Sequence, residues 1–218
     1  MVKTNSSKPD LRKANPNEKI ENPLRPDAFD VGETEKTAII AGYFSKIMET
    51  LGLDLEDDSL KDTPIRVAKM YVQEIFKGLL PENEPDISTF DNHYNYDKML
   101  VEKNISVKSF CEHHFLPVVG KAHVGYISSG RVIGLSKLNR IVDYYARRPQ
   151  VQERMTRQIV QALQEALDTK DVIVVVDALH MCVSLRGIED DHSSTVTLDY
   201  GGRFEDPATR KEFMELIK

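Results

Sequence analysis

The spacing of apolar and polar positions divides the chain into a start with no pattern, a helical stretch, and a longer region that mixes strands with helices. Residues 1–32 are polar and rich in Pro, Asn, Lys and Asp, with hardly any apolar periodicity. Such a composition does not offset the entropy of ordering the chain, so a mobile tail is expected there. From Glu33 onward Ile39, Ile40, Tyr43, Phe44, Ile47, Met48 and Leu51 recur at helical spacing. A second helix is expected in "DTPIRVAKMYVQEIFKGL", with Asp62 or Thr63 as its cap, Pro64 in its first turn and Gly78 at its end. The Pro/Asn/Asp-rich stretch from Leu80 to Tyr96 predicts a long loop. Together these make 33–95 an N-terminal helical region.

Over 96–218 the period changes. "ISVKSF" and "KAHVGYIS" read as strands, the second with period-two alternation. "SKLNRIVDYYARR" and "QVQERMTRQIVQALQEAL" read as two helices broken at Pro149. "DVIVVVDALHMCVSL" is a β-branched strand, "SSTVTLDY" another, and "DPATRKEFMELI" a capped terminal helix. Two hairpins enclosing a helix pair predict an α+β domain, an antiparallel sheet covered on one face by helices.

Bulk composition narrows the class. The 218 residues suit one domain, with or without a helical appendage, and 40% hydrophobic with 29% charged residues is ordinary for a soluble globular protein. A formal charge of −6 argues against a general nucleic-acid binder, though a few converging cations still make a local anion site. No apolar run approaches the roughly 18 residues of a membrane span, and "MVKTNSSKPDLRK" lacks the apolar core of a signal peptide. Two cysteines do not make a disulfide scaffold, so reduced thiols in the cytoplasm are expected.

The chemistry-bearing residues concentrate in three places. "SFCEHHFLPVVG" sets Cys111, Glu112, His113 and His114 side by side, and "ALHMCVSL" holds His180 and Cys182. A lone cysteine is usually a small buried hydrophobe, but here each has a histidine within three residues, which weakens that reading and leaves a shared metal equally open. In an unbroken strand His180 and Cys182 would share a face, and Cys111 would pair with His113; a Cys111–His114 pair needs a bend. Spacing alone leaves both open. There is no HExxH, and the H-x-E…P-C-x-x-C pattern of nucleobase deaminases is absent.

"VIGLSKLNRIV" offers an anion site: Ser136 as a helix cap, with Lys137 and Arg140 on one helical face. Arg186 in "SLRGIED" follows Cys182 by four residues, and Arg66 in "TPIRVAK" is a more distant candidate. Each alone reads more readily as a solvated cation. Gln152 and Glu153 open the helix after "RRPQ". The carboxylate there either favours the helix dipole or accepts two hydrogen bonds from the N1–H and N2–H₂ edge of guanine.

Taken in order, "CEHHFLP", "VIGLSKLNRIV", "RRPQVQERMT", "HMCVSLRGI" and "SSTVT" resemble GTP cyclohydrolase I from about residue 36 to the C-terminus. The resemblance implies the tunnelling fold, with antiparallel ββααββ units joined into five-membered rings and two rings forming a homodecamer whose active sites lie between subunits. It implies hydrolysis and rearrangement of GTP to 7,8-dihydroneopterin triphosphate with release of formate, the first step toward tetrahydrofolate or other pterins. It places zinc on Cys111, His114 and Cys182, and proton transfer on His113 and His180, with Ser136 a further proton carrier. Gln152 and Glu153 match the segment that reads guanine, and Ser136, Lys137, Arg140, Arg186 and Arg66 match residues around ribose and triphosphate. Glu112 receives no role. The acidic run in "GIEDDHSSTVTLDYGGRF" departs from the family pattern and leaves the fine contacts there open. Two rival readings are a catalytically silent binding protein on the same fold and a different zinc hydrolase acting on another purine nucleotide or pterin. No ligand or histidine is lost, against the first; Glu153 with the cation group argues against the second.

Overall fold

A computed structural model describes residues 19–218. The central element is a five-stranded sheet. Strands β2 (Met99–Cys111), β3 (Pro117–Ile127), β6 (Val172–His180) and β7 (Thr195–Tyr200) run antiparallel in that order. The two-residue β5 (Pro149–Gln150) pairs in parallel with the end of β2, Phe110 opposite Pro149 and Cys111 opposite Gln150. Helices α3 (Leu135–Ala146) and α4 (Gln152–Leu167) lie between the two hairpins in sequence. This is the expected ββααββ arrangement of the tunnelling fold.

Alternation sorts the two faces. Val107, Ala122, Val124, Tyr126, Val172, Val174, Val176 and Ala178 turn toward α3 and α4. There they meet Leu138, Ile141, Val142, Met155, Ile159, Leu163 and Leu167, all essentially buried. Each such aliphatic side chain contributes about 1.5–3 kcal/mol relative to exposure, so this layer is the main source of stability. On the other face, the terminal helix α6 (Pro207–Leu216) covers one end, where Phe213 and Phe204 pack on Ile173, Val175 and Ile127. Asp206 caps that helix by accepting from the Thr209 amide at 2.9 Å, as the sequence predicts. The rest of that face leaves Val119, Leu179, Val196 and Leu198 exposed.

Several expectations about the first 95 residues change. Residues 1–18 of the expected tail lie outside the described residues. From residue 19 on the segment is tied down: the Ile20 amide donates to Gln161 Oε1 at 3.0 Å, Gln158 Nε2 donates to the Ile20 carbonyl at 2.8 Å, and Asn22 Nδ2 donates to the Pro149 carbonyl at 2.9 Å. Polar backbone and amide groups hold it where apolar periodicity gave no signal. Helix α1 (Glu33–Thr50) forms, but its apolar stripe points outward, with Tyr43 70% and Leu51 72% exposed and only Thr37 and Met48 buried.

Helix α2 (Thr63–Lys69) continues as a π-turn over Met70–Ile75. Asp62 stands at its N-cap without capping it; its carboxylate accepts from Arg66 Nη2 at 3.2 Å instead. Gly78 is required by close approach rather than by a left-handed end. Its amide donates to the Arg147 carbonyl at 3.0 Å, and a Cβ there would lie 2.0 Å from the Tyr144 carbonyl oxygen. The long loop carries one 3₁₀ turn (Pro81–Asn83) and a strand, β1 (Thr89–Asp91), which pairs antiparallel with β4 (Arg131–Ile133). Among the described residues no helix is long and apolar enough to cross a membrane.

Candidate active site

The site is built where β2 and β6 both stop. Strand β2 ends at Cys111, and the chain turns through Glu112, His113 and His114 before β3 starts at Pro117. The Cys111 amide donates to the Leu116 carbonyl at 2.9 Å, and the Phe115 amide donates back to the Cys111 carbonyl at 2.8 Å. Phe115 takes a left-handed backbone, φ 55°, which is unfavourable for a bulky residue. Its ring is held edge-on by Phe76 at 5.3 Å and Tyr71 at 6.3 Å, both from the π-turn region. The N-terminal helical region therefore buttresses the turn that carries the histidines.

Strand β6 ends at His180, and Cys182 lies on a single helical turn, α5 (Met181–Ser184). The expected strand through Leu185 is thus corrected. Val118 of β3 pairs with His180, and β7 pairs only as far as Ala178, so the ladder has no partners beyond that point. The turn swings Cys182 toward Cys111 instead of leaving it beside His180 on one strand face.

One potential ligand atom from each of Cys111, His114 and Cys182 lies within 4.8 Å of the others. Pairwise, Cys111 Sγ is 3.6 Å from His113 Nδ1 and 3.9 Å from His114 Nδ1, so contact with Cys111 alone does not choose between the histidines. The three-way convergence with Cys182 does. Burial first, and then the neighbouring Cys111 sulfur, hold the Cys182 thiol above its ordinary value. A second anion beside the first is costly there, and a bound divalent cation reverses that sign. Two thiols and one imidazole are a donor set that fits zinc with an open position.

Around this corner the predicted residues divide. His180 Nε2 lies 2.8 Å from Gln152 Oε1. The Gln152 amide nitrogen faces the carbonyl oxygens of Val176 (3.0 Å) and Thr195 (2.8 Å), which only accept, so its oxygen must face the histidine. His180 therefore carries its proton on Nε2 and keeps a lone pair on Nδ1. Burial lowers its pKa, and the Glu153 carboxylate opposes that shift. Gln152 is 3% exposed, and its amide is engaged by His180 and by the Val176 and Thr195 carbonyls. Glu153 opens α4 beside it.

Arg186 Nη1 lies 3.0 Å from His114 Nε2. The other cations are engaged elsewhere. Lys137 Nζ donates to the Asp86 carbonyl at 2.6 Å, Arg66 pairs with Asp62, and Arg140 lines a cavity of about 410 Å³ with Lys77, Asn139 and Asp143. Ser136 does not cap α3; Gly134 holds that place and Ser136 is already inside the helix. The pattern of the motif did not reveal Arg154, which forms an ion pair with Glu112. Nor did it reveal Thr197, whose hydroxyl bonds Gln152 Nε2 at 3.2 Å and Thr156 Oγ1 at 2.6 Å.

Comparison with known proteins shows which family the chain belongs to. The family profile described as GTP cyclohydrolase I matches residues 40–218. The chain belongs to the GTP cyclohydrolase I family. A GTP cyclohydrolase 1 of Flavobacterium johnsoniae is 64% identical over 197 residues, 90% of this chain and 88% of that protein. One from Aeromonas hydrophila is 52% identical over 202 residues, 92% of each chain, and one from an Enterobacter species 48% over 200, covering 91% and 90%. The family's reaction is the hydrolysis of GTP that the motifs implied. Its zinc dependence meets a matching donor set in Cys111, His114 and Cys182.

Proposed function

We propose that this chain converts GTP and water to formate and 7,8-dihydroneopterin triphosphate at the corner formed by Cys111, His114 and Cys182. The observation that carries the proposal is the convergence of those three side chains, from two turns distant in sequence, within 4.8 Å of one another. Zinc held there supplies Lewis-acid activation of water at neutral pH.

The chain's own residues supply orientation and proton transfer. Glu153 accepts from the N1–H and N2–H₂ edge of guanine, which sets C8 over the corner. His180, kept neutral by burial and oriented by Gln152, takes up or returns protons at Nδ1. His113, with Nδ1 3.6 Å from the Cys111 sulfur and its ring edge-on to His114, serves N7 as the imidazole ring opens. After formate leaves, the two histidines and Ser136 carry the protons for opening the ribose, rearranging it and closing it onto the pyrimidine amine. Arg186 binds the triphosphate. A guanidinium only donates, so its contact with His114 Nε2 needs a lone pair there. His114 would hold the metal with Cys111 and Cys182, and a His114 protonated on Nε2 would leave Arg186 free to turn toward the phosphates.

Ser136, Lys137, Arg140 and Arg66 have no contact with the corner in the hydrogen bonds and ion pairs of the described residues, which supports a site completed by a neighbouring subunit. The exposed stripe Ile39, Tyr43, Ile47 and Leu51 and the bare sheet face at Val119, Leu179, Val196 and Leu198 supply apolar surface for that assembly, a homodecamer in this reading. A cytoplasmic setting keeps both thiols reduced. Incubation of the protein with GTP tests the proposal: formate and a dihydropterin triphosphate should appear and should stop on chelation. Binding of GTP without formate would instead support the silent relative.

A further inference from the structure

Glu112 stands between the ligand Cys111 and the two histidines, and the reaction as described leaves it idle. Its carboxylate is paired with Arg154, the residue after Glu153. The side chains are 15% (Arg154) and 25% (Glu112) exposed, the most enclosed ion pair among the described residues. Arg154 is held on its other side too. Its Nε donates to Gln150 Oε1 at 3.0 Å, and Nη2 reaches the Pro149 carbonyl at 3.4 Å. Gln150 is itself anchored: its Nε2 donates to the Tyr145 carbonyl and to Gln158 Oε1, both at 2.8 Å. The Glu112 amide donates to the Gln150 carbonyl at 3.0 Å, beside the Cys111–Gln150 bridge of β2 and β5.

The turn that carries the metal ligands and the first turn of the guanine-reading helix are thus joined by backbone and by one fixed guanidinium. An enclosed ion pair adds little net stability against its desolvation cost, and its use lies in selecting one geometry. Here the geometry selected is the offset between Cys111–His114 and Glu153. A substrate gripped by its base at Glu153 and attacked at C8 needs that offset correct, because misplacement by about 1 Å costs on the order of 10²-fold in rate.

We infer that Glu112 and Arg154 are positioning residues that hold the metal turn at a set distance from the Glu153 carboxylate, so that one bound GTP reaches both. The inference rests on the functional reading above. Glu112→Gln removes the charge at constant size, and Arg154→Lys keeps the charge but loses the planar fork. Each variant is measured for zinc per chain, for zinc affinity by chelator competition, for GTP affinity in chelator-stripped protein, and for kcat per zinc-loaded chain. Both variants should keep zinc and GTP affinity within about 3-fold while kcat falls, by roughly 10- to 100-fold for Glu112→Gln and about 10-fold for Arg154→Lys.

An unchanged kcat per zinc in both variants overturns the inference. So does a loss of rate that matches zinc loss, or one that lies wholly in GTP affinity. If Glu112→Gln does not fold, Arg154→Lys decides by the same criteria. Absence of formate from the unmodified chain is a failure of the functional reading; unaltered variants of an active chain are a failure of the Glu112–Arg154 inference.

Discussion

The metal corner and the cation-bearing start of α3 are both rich in chemistry, yet they are finished to different degrees within one chain. At the corner, two thiols and an imidazole converge within 4.8 Å, and Gln152 fixes the neighbouring His180 through a 2.8 Å contact. At α3, Lys137 is occupied by the Asp86 carbonyl, Arg140 opens onto a separate cavity, and Ser136 lies exposed inside the helix rather than capping it. A metal site needs its ligands placed to fractions of an ångström before the ion arrives, which one folded chain can do by ending two strands side by side. A triphosphate site can be made from long flexible cations brought by another subunit, since the anion itself organises them. The metal-ligating side chains therefore converge within the protomer, while the α3 cations do not join them among the described residues.

This contrast is open to attack from either side. Cys182→Ser strikes the finished half: zinc content and formate release should vanish together, and full activity in a metal-free variant would remove the corner from the reaction. His180→Ala should leave GTP binding intact and lower kcat by roughly 10²- to 10⁴-fold, as loss of a positioned acid–base group does. Mixed oligomers of Cys182→Ser and Arg140→Ala chains, each inactive alone, should recover up to roughly a quarter of wild-type activity if the halves come from different subunits of a ring. No recovery in demonstrably mixed oligomers would put the cations and the corner in the same chain. Arg186→Ala should act least, raising KM for GTP by about 10-fold with kcat nearly unchanged. An unchanged KM would take Arg186 out of the phosphate site.

Much of this was legible in the order of residues, and the rest failed for identifiable reasons. Period-two alternation in "KAHVGYIS" and the amphipathic spacing of "QVQERMTRQIVQALQEAL" reported burial, so β3 and α4 came out as expected. The same signal found α1 but not its cover, because apolar spacing says that a face avoids water without saying what covers it; Tyr43 and Leu51 stay exposed in the protomer. Strand propensity ran through "DALHMCVSL", but a strand lasts only as long as its neighbours, and β3 and β7 give out near His180. That early stop is what places Cys182. The bend after Cys111 followed from the family motif and not from alternation, which by itself pairs Cys111 with His113. Gln152 was placed by the family's guanine-reading segment beside Glu153, and its hydrogen bonds within the protomer were not legible there. Its burial against the Val176 and Thr195 carbonyls depends on a β6–β7 register that no local pattern encodes. Glu112 was opaque for the same reason, its partner Arg154 lying 42 residues away.

Zinc titration into chelator-stripped protein in the presence of saturating GTP reaches the core of the account. Formate release should rise in proportion to zinc and level off at one ion per chain, and the Cys182→Ser chain should show no such rise. Turnover in stripped protein that is indifferent to added zinc, or saturation without regard to chain number, would contradict it.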